Sequence, residues 1–200
     1  MTSPGTVDRV ALAARLASVL AGVRAGVRAG ATVTDSYGVL TADVGREHWV
    51  EAVTAVRDDE VLDGRFFDVL LAVDEHPAGF DVVVRLWSVA GRHGVHLRTG
   101  CPRDDPRVPS LTAVFAGASW HEREAAEMFG LHFDGHPALT PLLLEEGAAA
   151  PLRKERVLAA RTDPWPGAVD PADTGSGSSA ARRRLQPPGW PPPVPPGDPL

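Results

Sequence analysis

The sequence predicts an α+β fold: a small, mostly antiparallel sheet of about four strands with flanking helices, followed by a disordered, proline-rich tail. Three observations carry this. Residues 66–74 (FFDVLLAVD), 80–90 (FDVVVRLWSVA) and 94–100 (GVHLRTG) are strand-like runs. Their short Gly- or Pro-bearing connections imply antiparallel hairpins. Stretches with helical periodicity stand before, within and after these strands. From Asp163 onward the chain holds eleven of its nineteen prolines, a composition that buries too little apolar surface to offset its ordering entropy. The expected organisation is an N-terminal helix over 1–30, an α+β domain over 31–160 and the tail over 161–200.

In chain order, residues 7–29 read as an Ala-rich helix, with Leu12, Leu16, Val19 and Leu20 at helical spacing. Residues 37–44 suit a first strand. Residues 46–57 form an amphipathic helix burying Trp49, Ala52, Val53 and Val56. Asp58-Asp59 and Asp63-Gly64 mark turns. In the 80–90 strand, Val82, Val84 and Leu86 alternate with Asp81, Val83 and Arg85, giving one better-buried face. Residues 101–109 are a Pro-rich connection, and 110–116 read as a short helix ended by Gly117.

Composition narrows the function. A formal net charge of −6 argues against nucleic acid as a partner, because phosphate binding wants a basic surface. The one cysteine, Cys101, can form no internal disulfide and cannot supply a cluster's usual ligands. It is expected as a half-buried thiol at a strand end. No apolar run reaches the 18 residues of a membrane helix, and Arg15 splits the N-terminal apolar stretch. The expected location is therefore cytoplasmic, with any membrane association through a partner. Glycine-rich nucleotide loops and nucleophile motifs are missing, so no catalytic, cofactor or metal site is expected.

The densest run of charge, histidine and aromatic residues lies at 117–144 (GASWHEREAAEMFGLHFDGHPALTPLLL). A helix is expected over Trp120–Phe129. Ser119 and Glu122 read as its capping box, and Gly130 as the left-handed residue past its end. Glu122 shares an arc with Ala118, Ala125, Ala126 and Phe129, so it should point inward or toward a partner. Arg123 and Glu127, four apart, suggest a surface ion pair. His121-Glu122 opens an HExxH zinc motif, but its second histidine is Ala125. A metal hydrolase using His121, Glu122, His132 and His136 is thus the weaker alternative. A compact charged-aromatic helix beside an ordered loop reads better as a docking surface.

These residues bear a family resemblance. Glu122-Arg123-Glu124-x-x-Glu127-Met128-Phe129-Gly130, followed by His136-Pro137 and Leu142-Leu143-Leu144, resembles the signature of the 30-kDa subunit of respiratory complex I (NADH:quinone oxidoreductase). Residues 151–154 (PLRK) resemble a downstream segment of that family, and the similarity spans roughly 35–158. The resemblance implies a cofactor-free peripheral-arm subunit of a proton-translocating complex on the cytoplasmic side of the bacterial cell membrane. It would pack against the D-like and B-like subunits. NADH, quinone and the iron–sulfur clusters would sit in partners. Glu122, Arg123, Glu124, Glu127, Phe129, Gly130, His136 and Pro137 would carry the contacts between subunits and the local fold. Three features depart from the pattern: Thr140-Pro141 where a basic residue is usual, a shortened EEGAAA linker, and Glu155-Arg156 after PLRK. They leave as an alternative the equivalent subunit of a membrane-bound hydrogenase or deazaflavin-dependent dehydrogenase.

Overall fold

The computed structural model describes residues 8–23, 33–145 and 147–156. The chain divides into two units, Met1–Lys154 and Glu155–Leu200. The proline-rich tail and most of the Gly22–Gly30 repeat lie outside the described residues.

The first unit is a sheet with helices α1 (Arg9–Gly22), α2 (Trp49–Asp58) and α3 (Ala118–Phe129). Helix α1 begins where the Asp8 carboxylate accepts hydrogen bonds from the N–H groups of Val10 and Ala11. Its buried stripe is Leu12, Leu16 and Leu20, whereas Val10 stays exposed. In α2 the whole expected face, Trp49, Ala52, Val53 and Val56, is fully buried.

Five strands make the main sheet: β1 (Thr34–Ser36), β2 (Val39–Asp43), β3 (Phe66–Asp74), β4 (Phe80–Ser88) and β5 (His93–Cys101), in the order β1-β2-β5-β4-β3. The three expected strands form an antiparallel meander, and Val82, Val84 and Leu86 are its fully buried row. Two features extend the expected sheet. Strand β1 adds a fifth strand, and β2 pairs with β5 in parallel. The parallel pair arises because the connection through α2 carries the chain from β2 to the far edge, after which β4 and β5 return to it. The 101–109 connection also contains strand β6 (Arg107–Pro109), which pairs in parallel with β7 (His132–Asp134) in a separate two-stranded sheet.

Two expectations fail nearby. Residues 110–116 are a tight turn rather than a helix; Val114 and Phe115 both donate to the Leu111 carbonyl. Gly117 therefore ends no helix and instead stands at the N-terminus of α3. Cys101 is the last residue of β5 and 4% exposed, and burial pushes its thiol up to about 11. It is a packing residue, not a reactive one.

The β3–β4 turn fixes where β3 ends. Gly79 has φ +146, and an added Cβ would sit 2.3 Å from the Cys101 carbonyl oxygen. Neither the conformation nor the space admits a side chain. Gly79→Ala is expected to cost about 2 kcal/mol or more, measurable by denaturant unfolding. An unchanged midpoint would contradict the close approach.

Candidate functional site

The site is α3 together with the three stretches that it holds. No side chain caps its N-terminus. The preceding turn does the work instead: the Ala118 and Ser119 N–H groups donate to the carbonyls of Phe115 and Ala116. Ser119 therefore lies inside the helix, and the expected capping box does not form.

Glu122 points inward and is fully buried. Its Oε2 accepts from Ser110 Oγ at 2.6 Å, and its Oε1 accepts from the Leu111 N–H at 2.6 Å. The carboxylate thus pins the corner at 110–111 to the helix. Burial pushes its pKa up, only partly opposed by the Ser110 and Leu111 hydrogen bonds and by nearby His136.

The next flank of α3 clasps the loop at 140–144. Arg123 Nε donates to the Thr140 carbonyl at 2.8 Å, and Arg123 Nη2 to the Pro141 carbonyl at 2.6 Å. Its guanidinium also lies 5.5 Å from the Trp120 ring centroid. Glu127 accepts from the Leu142 and Leu143 N–H groups. Desolvation raises the Glu127 carboxyl, but the N–H groups of Leu142, Leu143 and Leu144, with Arg123, outweigh it and hold the pKa low. The expected Arg123–Glu127 ion pair is therefore replaced by two parallel grips on one loop. Arg123 reads main-chain carbonyls, so the unusual Thr140 and Pro141 satisfy it without a particular side chain. Arg123→Ala is expected to speed amide exchange at Leu142 and Leu143 while costing only about 1 kcal/mol globally. Unchanged exchange there would remove the clasp.

The C-terminus of α3 is closed by residues 152–154. Gly130 adopts the expected left-handed conformation, φ +68, and its N–H donates to the Ala126 carbonyl. The carbonyls of Met128 and Phe129, which no helical partner reaches, accept from the Leu152 N–H and from Arg153 Nε. Phe129 meets Phe80 edge-on, with Arg153 over the Phe80 ring. Lys154 N–H donates to Asp74, a buried carboxylate at the end of β3 that also pairs with Arg103. Burial pushes the Asp74 carboxyl up, but Lys154 N–H, Arg103 and a backbone bond from His76 outweigh it and hold it below the usual range.

The histidines go to separate places. His136 Nδ1 lies within hydrogen-bond distance of the Ala138 N–H, and Nε2 faces Ser119 Oγ and the Ser119 carbonyl. His121 packs edge-on against Phe67, and His132 lies exposed beside Asp134. Among the described residues, no three His, Cys, Asp or Glu side chains gather as a metal set. Pro137 and Glu124 are exposed. The structure thus brings Glu122, Arg123, Glu127, Phe129, Gly130 and His136 into one assembly around α3. Glu124 faces outward from it.

Sequence reasoning missed Ser110 and Asp74, and gave Ser119 a capping role in place of its contact with His136. Only Asp74 left a signal: it follows Leu70 and Ala72 in the inward phase of β3, where a carboxylate needs partners.

The α+β topology of this domain recurs in solved structures. One chain of the archaeal membrane-bound sulfane sulfur reductase, a respiratory membrane complex, shares the fold, with TM-score 0.55 and 21% identity over 70% of this chain and 82% of that one. The trypsin-resistant fragment (1–134) of Nqo5 superposes with TM-score 0.50 at 27% identity, covering 62% of this chain and 98% of the fragment.

Residues 42–162 match the family "Respiratory-chain NADH dehydrogenase, 30 Kd subunit", and the chain belongs to that family. The corresponding NADH-quinone oxidoreductase subunit of Roseiflexus castenholzii is 40% identical over 126 residues, 62% of this chain and 72% of that protein. Its counterpart in Caulobacter vibrioides is 40% identical over 125 residues, 60% and 62% of the two chains. The chain is thus a peripheral-arm subunit of an NADH-quinone oxidoreductase, and the hydrogenase and deazaflavin alternatives are not favoured. No helix among the described residues is long and apolar enough to cross a membrane.

Proposed function

We propose that this chain is a cofactor-free scaffold on the cytoplasmic face of the bacterial membrane. It seats the D-like and B-like subunits, which hold the quinone site and the terminal iron–sulfur cluster, and serves proton translocation only through the whole complex. One observation carries this reading. Three of the signature's four charged groups are spent on holding main chain in place: Glu122 on 110–111, Arg123 on 140–141 and Glu127 on 142–143. What they present outward is Trp120, 64% exposed, and Leu143, 63% exposed. Apolar side chains on a rigid polar frame suit docking between subunits. Glu124, Gly130, His136 and Pro137 belong to the same surface by position. NADH, quinone and clusters then lie in the partners.

The test is affinity purification of the tagged full chain from its own membranes. Recovery of the D-like and B-like subunits is expected. Recovery of the chain without either would reject the scaffold reading.

A further inference from the structure

We propose that the free edge of β3 is completed in the assembled complex by an extended strand of a partner protein, carrying apolar side chains and a basic residue opposite Glu124. This rests on the chain acting as a subunit of that complex.

Strand β3 is the outermost strand on its side of the sheet and is nine residues long. The hairpin bond from Glu75 N–H to the Gly79 carbonyl sets its alternation. Val73, Leu71 and Val69 turn their N–H and C=O groups toward β4, and those of Leu70 and Ala72 point to the open side. No hydrogen bond among the described residues reaches these outward groups. Exposed edges in monomeric proteins are normally blunted by lysine, proline or inward charge. Asp68 and the inward-facing Asp74 stand at the two ends of this edge, but between Val69 and Val73 there is no charged residue, proline or glycine, and Leu71 is 43% exposed. The one irregularity, a bulge between Phe67 and Val69, leaves the following stretch regular.

A groove of about 280 Å³ runs beside this edge. One wall is Val69 to Ala72, four consecutive residues. Successive strand residues face opposite sides of a sheet, so a groove touching four in a row follows the edge itself. The other wall is the flank of α3 that bears His121, Glu124 and Met128, and Leu152 borders it too. Glu124 is the only carboxylate lining the groove. It is exposed and has no hydrogen bond or ion pair among the described residues.

The lining dictates the occupant. A row of unpaired backbone donors and acceptors selects another extended backbone, at a spacing of about 4.8 Å. The apolar walls take its alternate side chains. Glu124 selects a lysine or arginine along it.

The experiment is residue-resolved amide exchange on the full chain, alone and within the purified complex. In the isolated chain the Leu70 and Ala72 amides are expected to exchange fast while Val69, Leu71 and Val73 exchange slowly. In the complex Leu70 and Ala72 are expected to slow by roughly 100-fold. Glu124→Lys is expected to lower recovery of the complex at least about tenfold.

An assembled complex whose Leu70 and Ala72 amides stay unprotected overturns this inference and leaves the scaffold reading standing. Failure of the chain to enter any complex overturns both. Protection already present in the isolated chain also overturns it. If that protection depends on concentration, the edge belongs to a second copy; if truncation after Arg156 abolishes it, to residues 157–200. Undiminished assembly of Glu124→Lys removes the basic residue from the partner strand.

Discussion

Replacing Glu122 with alanine is expected to destabilise the chain by about 3 kcal/mol, and replacing it with glutamine by less than about 1 kcal/mol. Alanine leaves a cavity at a fully buried position and strands the Leu111 N–H, while the Ser110 hydroxyl keeps only Thr112 Oγ1, 2.8 Å away. Glutamine keeps both bonds: its carbonyl accepts from Leu111 and its amide donates to Ser110 Oγ. The pair of variants separates a packing and hydrogen-bonding role from a need for charge. The pH dependence sharpens the test. Burial raises the folded pKa of Glu122 above its ordinary 4.5, so the native state holds this proton more tightly than the unfolded chain. Its contribution therefore favours folding below 4.5 and is lost as pH rises through the raised folded value. Glu122→Gln should abolish that slope. A slope of equal size in the variant would place its origin elsewhere.

The second large effect is expected at Asp74. Asp74→Ala should cost about 3 kcal/mol, because it removes a buried carboxylate together with its charge-assisted hydrogen bond from Arg103. It also deprives the Lys154 N–H of its acceptor, so residues 152–154 should loosen from the end of α3 and their amides exchange faster. The sign of the pH effect is opposite to that at Glu122. The folded pKa of Asp74 is depressed, so its stabilisation is complete above the ordinary 3.8 and is lost as pH falls from there through the depressed value. Thermal melts of the variant between neutral pH and pH 3 should show a shallower decline than the parent. An equally steep decline would contradict the assignment.

What the sequence revealed depended on how local each feature is. The β3–β4–β5 meander was legible because alternation and short turns are written within some 35 residues. The buried face of α2 followed from its period. Strand β1 was invisible: all three of its residues are exposed, so no alternation marks it. The parallel β2–β5 and β6–β7 pairs were equally hidden, since no local pattern specifies a distant neighbour.

At the site, the inward arc of Glu122 was correct but its partner was not. Ser119-x-x-Glu122 fits a capping box only if the helix starts after Ser119, and the turn at 115–117 starts it earlier. The same limit applies to Arg123 and Glu127. Their spacing permits an ion pair on an isolated helix, but the 140–144 main chain offers each a better partner. Glu122, Arg123 and Glu127 of the signature do gather loops around α3. Their roles were set by loops distant in sequence.

The central claim is that the signature helix builds a docking surface rather than supplying chemistry. Its most direct test is the Arg123→Ala/Glu127→Ala double variant, expressed in place of the parent chain. Both the amount of assembled complex in membranes and the NADH:quinone turnover per assembled complex should be measured. The expected result is assembly lowered at least about fivefold, with turnover per complex unchanged. Full assembly with turnover lost would contradict the claim, because these side chains would then be acting in the reaction itself.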